Sequence, residues 1–155
     1  NSIELLRSNI RDVAVTTDVM VGFPGETDDE FESTYRFIDK LSFSGVHVFK
    51  YSPRKGTPAA DFLDQASSEK KEERSNRLLE LGSVKTLEFN RKYIGRSLPV
   101  LFEQPFKAKE GFVEGLTPNY IRVACRGGVE FEGQEIKVLI KEAVDDYTIG
   151  TIEAR

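Results

Sequence analysis

Apolar residues recur at helical spacing in three stretches of the chain. Stretches 2–11, 28–43 and 68–93 repeat them every three or four positions, which predicts helices with one buried face. Thr27 and Glu30 have the spacing of a capping box, so the second helix is predicted to begin at residue 28. The apolar positions are Ile3, Leu6 and Ile10; Phe31, Tyr35, Ile38 and Leu41; and Leu78, Leu81, Val84 and Leu87.

Two apolar runs between the helices predict strands. These are "VAVTTDVMVG" at 13–22 and "GVHVFKYS" at 45–52. The resulting order of helix, strand, helix, strand is typical of a parallel α/β sheet with crossover helices packed outside it. The following "SPRKGTPAADF" predicts a loop, because proline fixes φ and glycine permits positive φ.

From Ser97 onward the pattern changes to short strands separated by turn residues. The predicted strands are "LPVLFEQ", "GFVEGLTP", "NYIRVAC", "GQEIKVLIKEAV" and "YTIGTIEA". Their spacing of about 8–12 residues is typical of a small β-barrel, which we expect to be antiparallel. The predicted fold class is therefore α/β plus all-β, with the long helix as the connection.

Composition limits the classes of function. The chain has 155 residues, a net charge of −4, one cysteine and one histidine. Cys125 and His47 cannot form a disulfide framework or a tetrahedral zinc site, and each is expected to have a structural role in a strand. The cytoplasm is the default location for a chain without disulfides, and no apolar run is long enough to span a membrane. The acidic balance argues against binding nucleic acid by charge alone.

The stretch "VGFPGET" connects the first predicted strand to the helix that follows it. One interpretation is that the stretch is an ordinary turn, with Gly22, Pro24 and Gly25 present for its backbone geometry alone. Ligands in parallel α/β sheets, however, bind at the carboxyl ends of strands, where a glycine turn allows close approach to the backbone. Tyr51 and Ser52 end the neighbouring strand and could help to hold a planar polar ligand. The spacing matches neither a phosphate-binding loop of the Walker type nor a dinucleotide fingerprint.

The segments "GFPGET" and "YSPRKGTPAA" closely resemble the later part of the radical S-adenosylmethionine domain of tRNA methylthiotransferases. The tail resembles the TRAM domain of these enzymes, a small RNA-binding barrel. The resemblance implies the C-terminal portion of a radical-SAM partial TIM barrel at 1–66, a linker helix at 67–95 and a TRAM β-barrel at 96–155. "GLTPNYIRV" looks like the branch that adds a methylthio group to C2 of N6-threonylcarbamoyladenosine at tRNA position 37.

By this resemblance, two strand ends help to hold S-adenosylmethionine. The implied contacts near the adenine and ribose are Met20, Val21, Gly22, Phe49 and Tyr51. Glu26 is a further polar contact, or it serves the positive end of the helix dipole instead. Arg54 and Thr57 follow the second strand and would face the substrate.

The family uses S-adenosylmethionine and two 4Fe-4S clusters, one of them on a Cys-x-x-x-Cys-x-x-Cys loop. That loop is absent here, so we expect the chain to belong late in a longer parent protein. We expect these residues alone to ligate no cluster and to be inactive. Expected partners are the missing N-terminal part and a tRNA anticodon stem-loop. Exposed sheet edges would also allow dimerisation.

For RNA contact the barrel offers Asn119, Tyr120, Arg122 and Arg126, since tyrosine stacks on bases and arginine pairs with phosphate. From residue 97 onward, however, ten acidic residues outnumber seven basic ones. These charges are equally well explained as a solvated surface. The helix before the barrel is more basic and is a second candidate path for RNA, through Lys70, Lys71, Arg74, Arg77, Lys85, Arg91 and Lys92.

Two other interpretations stay open. The related enzymes that modify an aspartate of a ribosomal protein share the fold, and the acidic tail suits a protein partner. A free-standing RNA- or protein-binding module without catalysis is the third interpretation. Against it, a partial α/β barrel would expose its sheet edges.

Overall fold

The computed structural model describes residues 2–153. The helices are α1 (Ser2–Asn9), α2 (Asp28–Lys40) and α3 (Ser68–Arg91), with short 3₁₀ helices at Pro58–Asp61 and Val129–Phe131. The strands are β1 (Thr16–Val21), β2 (Gly45–Lys50), β3 (Ser97–Pro105), β4 (Phe112–Leu116), β5 (Arg122–Arg126), β6 (Glu135–Val144) and β7 (Tyr147–Ile152). Each predicted element is therefore present, with ends that differ by a few residues.

The contacts divide the chain into two compact units. One contains Thr16–Lys85, and the other combines Asn1–Val15 with Thr86–Arg155. The first is called the α/β unit below and the second the barrel unit. The functional boundaries predicted at residues 66 and 96 stay a prediction.

In the α/β unit, β1 and β2 pair in parallel, from Thr16 opposite Gly45 to Val21 opposite Lys50. The helices cover one face of this two-stranded sheet, where the core includes Val21, Phe31 and Leu78. Gly82 of α3 lies against Val46, and a side chain at this position would crowd that valine. Val84 is 51% exposed, so its predicted place on the apolar side of α3 is wrong.

The capping box at the start of α2 is confirmed. The Thr27 hydroxyl accepts a hydrogen bond from the Glu30 amide at 3.2 Å, and the Glu30 carboxylate accepts one from the Thr27 amide at 2.8 Å. Together these bonds satisfy amides that have no partner within the helix. They also hold the pKa of Glu30 below its usual range. Because the capping box sets the beginning of α2 at Asp28, the turn before it ends at Thr27.

In the barrel unit, the five strands close in the order β3-β4-β5-β7-β6. Four neighbouring pairs are antiparallel, but β5 and β7 are parallel. The predicted all-antiparallel barrel is wrong at this pairing. The reason is one of parity, since a closed ring of strands that each reverse direction needs an even number. A five-stranded ring must contain a parallel neighbour.

The barrel interior is filled by inward-facing residues of its strands and by the end of α3. Phe89 of α3 and Tyr93, just after it, join the barrel core. Cys125 lies in the same core and is fully buried, as its expected structural role requires. Burial raises the pKa of its thiol to about 11, which keeps the thiol neutral.

Candidate functional site

The uncovered face of the β1–β2 sheet presents two apolar side chains side by side. Met20 lies directly opposite Phe49 in the parallel register. They are the next-to-last residues of β1 and β2 and are 54% and 51% exposed, which is high for two large apolar side chains that lie side by side. Asp18 lies opposite His47 one step earlier on the same face, and both are exposed. The expected structural role of His47 therefore receives no support from burial.

Val21 is placed differently from Met20. Strand side chains alternate between faces, and Val21 is fully buried on the side of the helices. Its carbonyl accepts a hydrogen bond from the Tyr51 amide at 2.9 Å, which ties the ends of the two strands together. On the uncovered face, Val21 therefore offers no side chain.

The turn after β1 depends on two glycines in the left-handed region. Gly22 has φ +72° and Gly25 has φ +83°. The Gly25 amide donates to the Asp64 carbonyl at 3.0 Å, which attaches the turn to the loop before α3. A Cβ on Gly22 would collide with the side-chain methylenes of Lys71. The sequence analysis expected a ligand to approach the backbone of this glycine turn, but at Gly22 the close neighbour is the Lys71 side chain.

Glu26 is held from two directions. Its Oε2 accepts a hydrogen bond from the Gly22 amide at 2.5 Å and another from Nη1 of Arg74 at 2.6 Å. Arg74 also donates to the Glu26 carbonyl and to the carboxylate of Asp28. The Glu26 carboxylate is therefore engaged within the protein.

Tyr51 directly follows β2, and its amide bonds to Val21 just before this turn. It is 9% exposed, and its buried hydroxyl has no hydrogen-bond partner among the described residues. Phe23 approaches its ring edge-on, with 5.1 Å between centroids, and the Lys71 ammonium lies 5.3 Å from the ring centre. A buried hydroxyl without a partner costs free energy and calls for an explanation.

Several of the basic residues of α3 that were predicted to contact RNA are buried or paired within the protein. Arg74 is 2% exposed and Lys85 is 7% exposed, so these two predicted contacts are wrong. Lys70 pairs with Asp28 and Arg77 with Glu32. The sequence alone could not show these ion pairs, because each acidic partner lies more than 40 residues away from its lysine or arginine along the chain.

In the barrel unit, Asn119 and Tyr120 form one turn but differ in their surroundings. The Asn119 amide donates to the Asp12 carbonyl at 3.0 Å and to the Tyr93 hydroxyl at 2.9 Å. Its side-chain oxygen accepts from Thr117 at 2.7 Å. Tyr120 is 80% exposed and has φ +62°, a strained backbone for a bulky residue. Asn119 thus supports the turn, and Tyr120 is displayed by it.

The two barrel arginines also differ. Arg122 forms an ion pair with the buried carboxylate of Glu114 at 2.6 Å and a longer one with Asp146. Burial opposes its charge, yet the hydrogen bond to Glu114 carries the pKa of Arg122 above its ordinary value. Arg126 is exposed and pairs with no described residue. Of these two described arginines, Arg126 is therefore the one that presents an uncompensated charge.

Within residues 2–153, no cluster of histidine, cysteine, aspartate and glutamate side chains is arranged to bind a metal. In the same range, no helix is both long and apolar enough to cross a membrane.

No protein-family model matches the chain. It is similar to a threonylcarbamoyladenosine tRNA methylthiotransferase of Bacillus subtilis, with 41% identity over 94% of this chain and 33% of that protein. It is also similar to a tRNA-2-methylthio-N(6)-dimethylallyladenosine synthase of Endomicrobium trichonymphae, at 38% identity over 97% of this chain and 35% of that protein. The synthase of Ehrlichia ruminantium is 46% identical over 76% of this chain and 26% of that protein. The chain thus spans between about a quarter and about a third of the length of these curated relatives.

Proposed function

We propose that the chain is the C-terminal part of a tRNA methylthiotransferase that uses radical S-adenosylmethionine chemistry. In this proposal the α/β unit supplies one wall of the cofactor site and the barrel unit contacts tRNA. The similarity to methylthiotransferases of two types, over nearly the whole chain, supports the class of enzyme. The substrate is N6-threonylcarbamoyladenosine at position 37 of the anticodon stem-loop, as "GLTPNYIRV" implies.

One observation carries the cofactor assignment. Met20 and Phe49 form a half-exposed apolar pair on the uncovered face of a parallel sheet, next to strand ends that are tied together. If β1 and β2 are two strands of a larger α/β barrel, this face is its interior. The carboxyl end of that interior is where such barrels bind ligands. An exposed apolar pair at this position suits the adenine ring of S-adenosylmethionine.

The 4Fe-4S clusters do not fit the residues of this chain. Cys125 is its only cysteine, and it is buried in the barrel with a protonated thiol. The cluster ligands therefore belong to other parts of the parent protein, and these residues alone are inactive. When bound, S-adenosylmethionine and the clusters supply the radical and methylthio chemistry, while this chain binds and orients.

The test uses the parent protein with Phe49→Ser. Phe37 provides a matched control, because it is 59% exposed on α2 of the same unit, away from the predicted site. We expect Phe49→Ser to weaken S-adenosylmethionine binding by about tenfold through loss of apolar contact, and Phe37→Ser to leave it unchanged. Equilibrium dialysis measures the binding. Equal affinities for the wild type and Phe49→Ser would reject this wall as the cofactor site.

Mass spectrometry of the reaction products identifies the substrate. We expect the parent protein to add a methylthio group to tRNA containing N6-threonylcarbamoyladenosine. A product formed only on tRNA containing N6-dimethylallyladenosine would instead give the protein the activity for which the Endomicrobium and Ehrlichia synthases are named. Modification of an aspartate in a ribosomal protein would favour the alternative suggested by the acidic barrel, and absence of any product would favour a binding module.

A further inference from the structure

Arg74 is the most buried charged residue of the α/β unit among the described residues. Its side chain is 2% exposed, and every hydrogen bond recorded for its guanidinium goes to Glu26 or Asp28. The guanidinium also lies over the Phe31 ring, 5.3 Å from its centre. A buried arginine is tolerated only when its donors are satisfied, so this geometry is strongly specified.

The bonds of Arg74 lead directly to the turn beside the proposed cofactor wall. The Glu26 oxygen that accepts from Arg74 at 2.6 Å also accepts from the Gly22 amide at 2.5 Å. The Glu26 carbonyl accepts from both terminal nitrogens of Arg74, at 3.1 and 3.2 Å. Arg74 thereby fixes the two ends of the turn relative to each other, although it lies 48 residues from Glu26 in the sequence.

Glu26 cannot hold this arrangement by itself. A carboxylate on a short turn has several rotamers, and the Gly22 amide offers one neutral donor. Gly22 itself has positive φ and no side chain to restrict it. The charged, forked donor of Arg74 selects the rotamer in which Oε2 meets the Gly22 amide.

We infer that Arg74 is a positioning residue for the cofactor site, acting through Glu26 to hold the Gly22 turn in its binding shape. This inference rests on the proposed function, because it takes the Gly22 turn to be part of the S-adenosylmethionine site. It assigns Glu26 a structural bond to the turn in place of the direct ligand contact predicted from the sequence. It also makes α3 a determinant of cofactor affinity.

The experiment compares Arg74→Met with Arg77→Met in the parent protein. Arg77 is the matched control, because it is one turn later on α3, pairs with Glu32 and stacks on Phe31 but makes no recorded bond to the Gly22 turn. We expect Arg74→Met to raise the Kd for S-adenosylmethionine by about tenfold or more. Arg77→Met should leave the Kd unchanged at temperatures where both variants are folded. Equal Kd values for Arg74→Met and the wild type would overturn the inference.

A double-mutant cycle tests whether Arg74 acts through Glu26. Glu26→Gln should weaken binding, and adding Arg74→Met should weaken it little further, because both changes break the same connection. Additive effects would overturn the action through Glu26. Rescue by Arg74→Lys should be incomplete, since an ammonium cannot bind the Glu26 carboxylate and carbonyl with the same fork.

Amide exchange by NMR in the absence of cofactor gives an independent readout, and it covers the case of a variant with poor stability. The Gly22 amide should exchange faster in Arg74→Met than in Arg77→Met, while amides in the middle of α2 stay equally protected. Unchanged Gly22 exchange would overturn the inference. If the wild type binds no S-adenosylmethionine, the proposed function fails instead, and the exchange comparison still decides whether Arg74 holds the turn.

Discussion

At the scale of single residues, Tyr120 combines strain with exposure. A bulky residue in the left-handed region costs about 1–2 kcal/mol, and the 80% exposed ring recovers little of this by packing. We predict that Tyr120→Gly raises the free energy of unfolding by about 1 kcal/mol and weakens tRNA binding by about tenfold. The loss of affinity follows from a lost stacking surface. Chemical denaturation and a tRNA-binding titration of the parent protein measure the two effects.

Tyr120→Phe is the control for this pair of effects. It keeps the ring and the strained backbone, so both stability and tRNA affinity should stay near those of the wild type. A variant that gains stability without losing affinity would show that Tyr120 does not contact RNA. Tyr120 would then be part of the turn without a role in binding.

Residue placement could be predicted only as far as local rules reach. The alternation of side chains in β1 places Met20 and Val21 on opposite faces, although the resemblance named both as ligand contacts. The bonds of Asn119 to Asp12 and Tyr93 could not be predicted, because they connect residues 107 and 26 positions apart. The role of Arg74 was missed for the same reason. The run of basic residues around Arg74 does not indicate which of them is buried against distant acidic residues such as Glu26.

At the scale of elements, the start of α2 can be tested directly. We predict that Thr27→Ala lowers the free energy of unfolding by about 1 kcal/mol, because the Glu30 amide loses its acceptor. Ser33→Ala is the control, since Ser33 is an exposed position inside the same helix. Denaturant titration with fluorescence or circular dichroism measures both. A loss that is equal in the two variants would mean that the cap contributes nothing specific.

The elements themselves were largely predictable, and the way they pair was less so. Helical periodicity and the Thr27–Glu30 spacing located α2, and turn residues separated the five barrel strands. The parallel pairing of β5 with β7 follows from closing a five-stranded ring, which strand patterns do not reveal. Leu6 and Ile10 are exposed in the structure. Their helical spacing predicts an apolar helix face, but it does not predict which element, if any, packs against that face.

At the scale of the whole molecule, the two units differ in how completely their strands are paired. Every barrel strand has a neighbour on both sides, whereas within the described residues 2–153 β1 and β2 pair only with each other. Unpaired edges allow local opening, and two-stranded sheets are marginal without further partners. We predict that amides of β1 and β2 in the 155-residue chain exchange about 100-fold faster than those of β5 and β7, measured by hydrogen exchange with NMR detection.

Amides in the middle of α2 are the control for this prediction, because their hydrogen bonds are internal to the helix and do not depend on a sheet edge. They distinguish fast exchange caused by an unpaired strand edge from low stability of the whole α/β unit. We expect them to exchange more slowly than those of β1. Equal protection of β1 and β5 would contradict the prediction and remove the reason to expect missing strands. If β1 becomes protected as the protein concentration rises, its edge pairs with a second copy, as expected of an exposed strand. Protection that is restored only in the longer parent protein would support a larger barrel around this sheet.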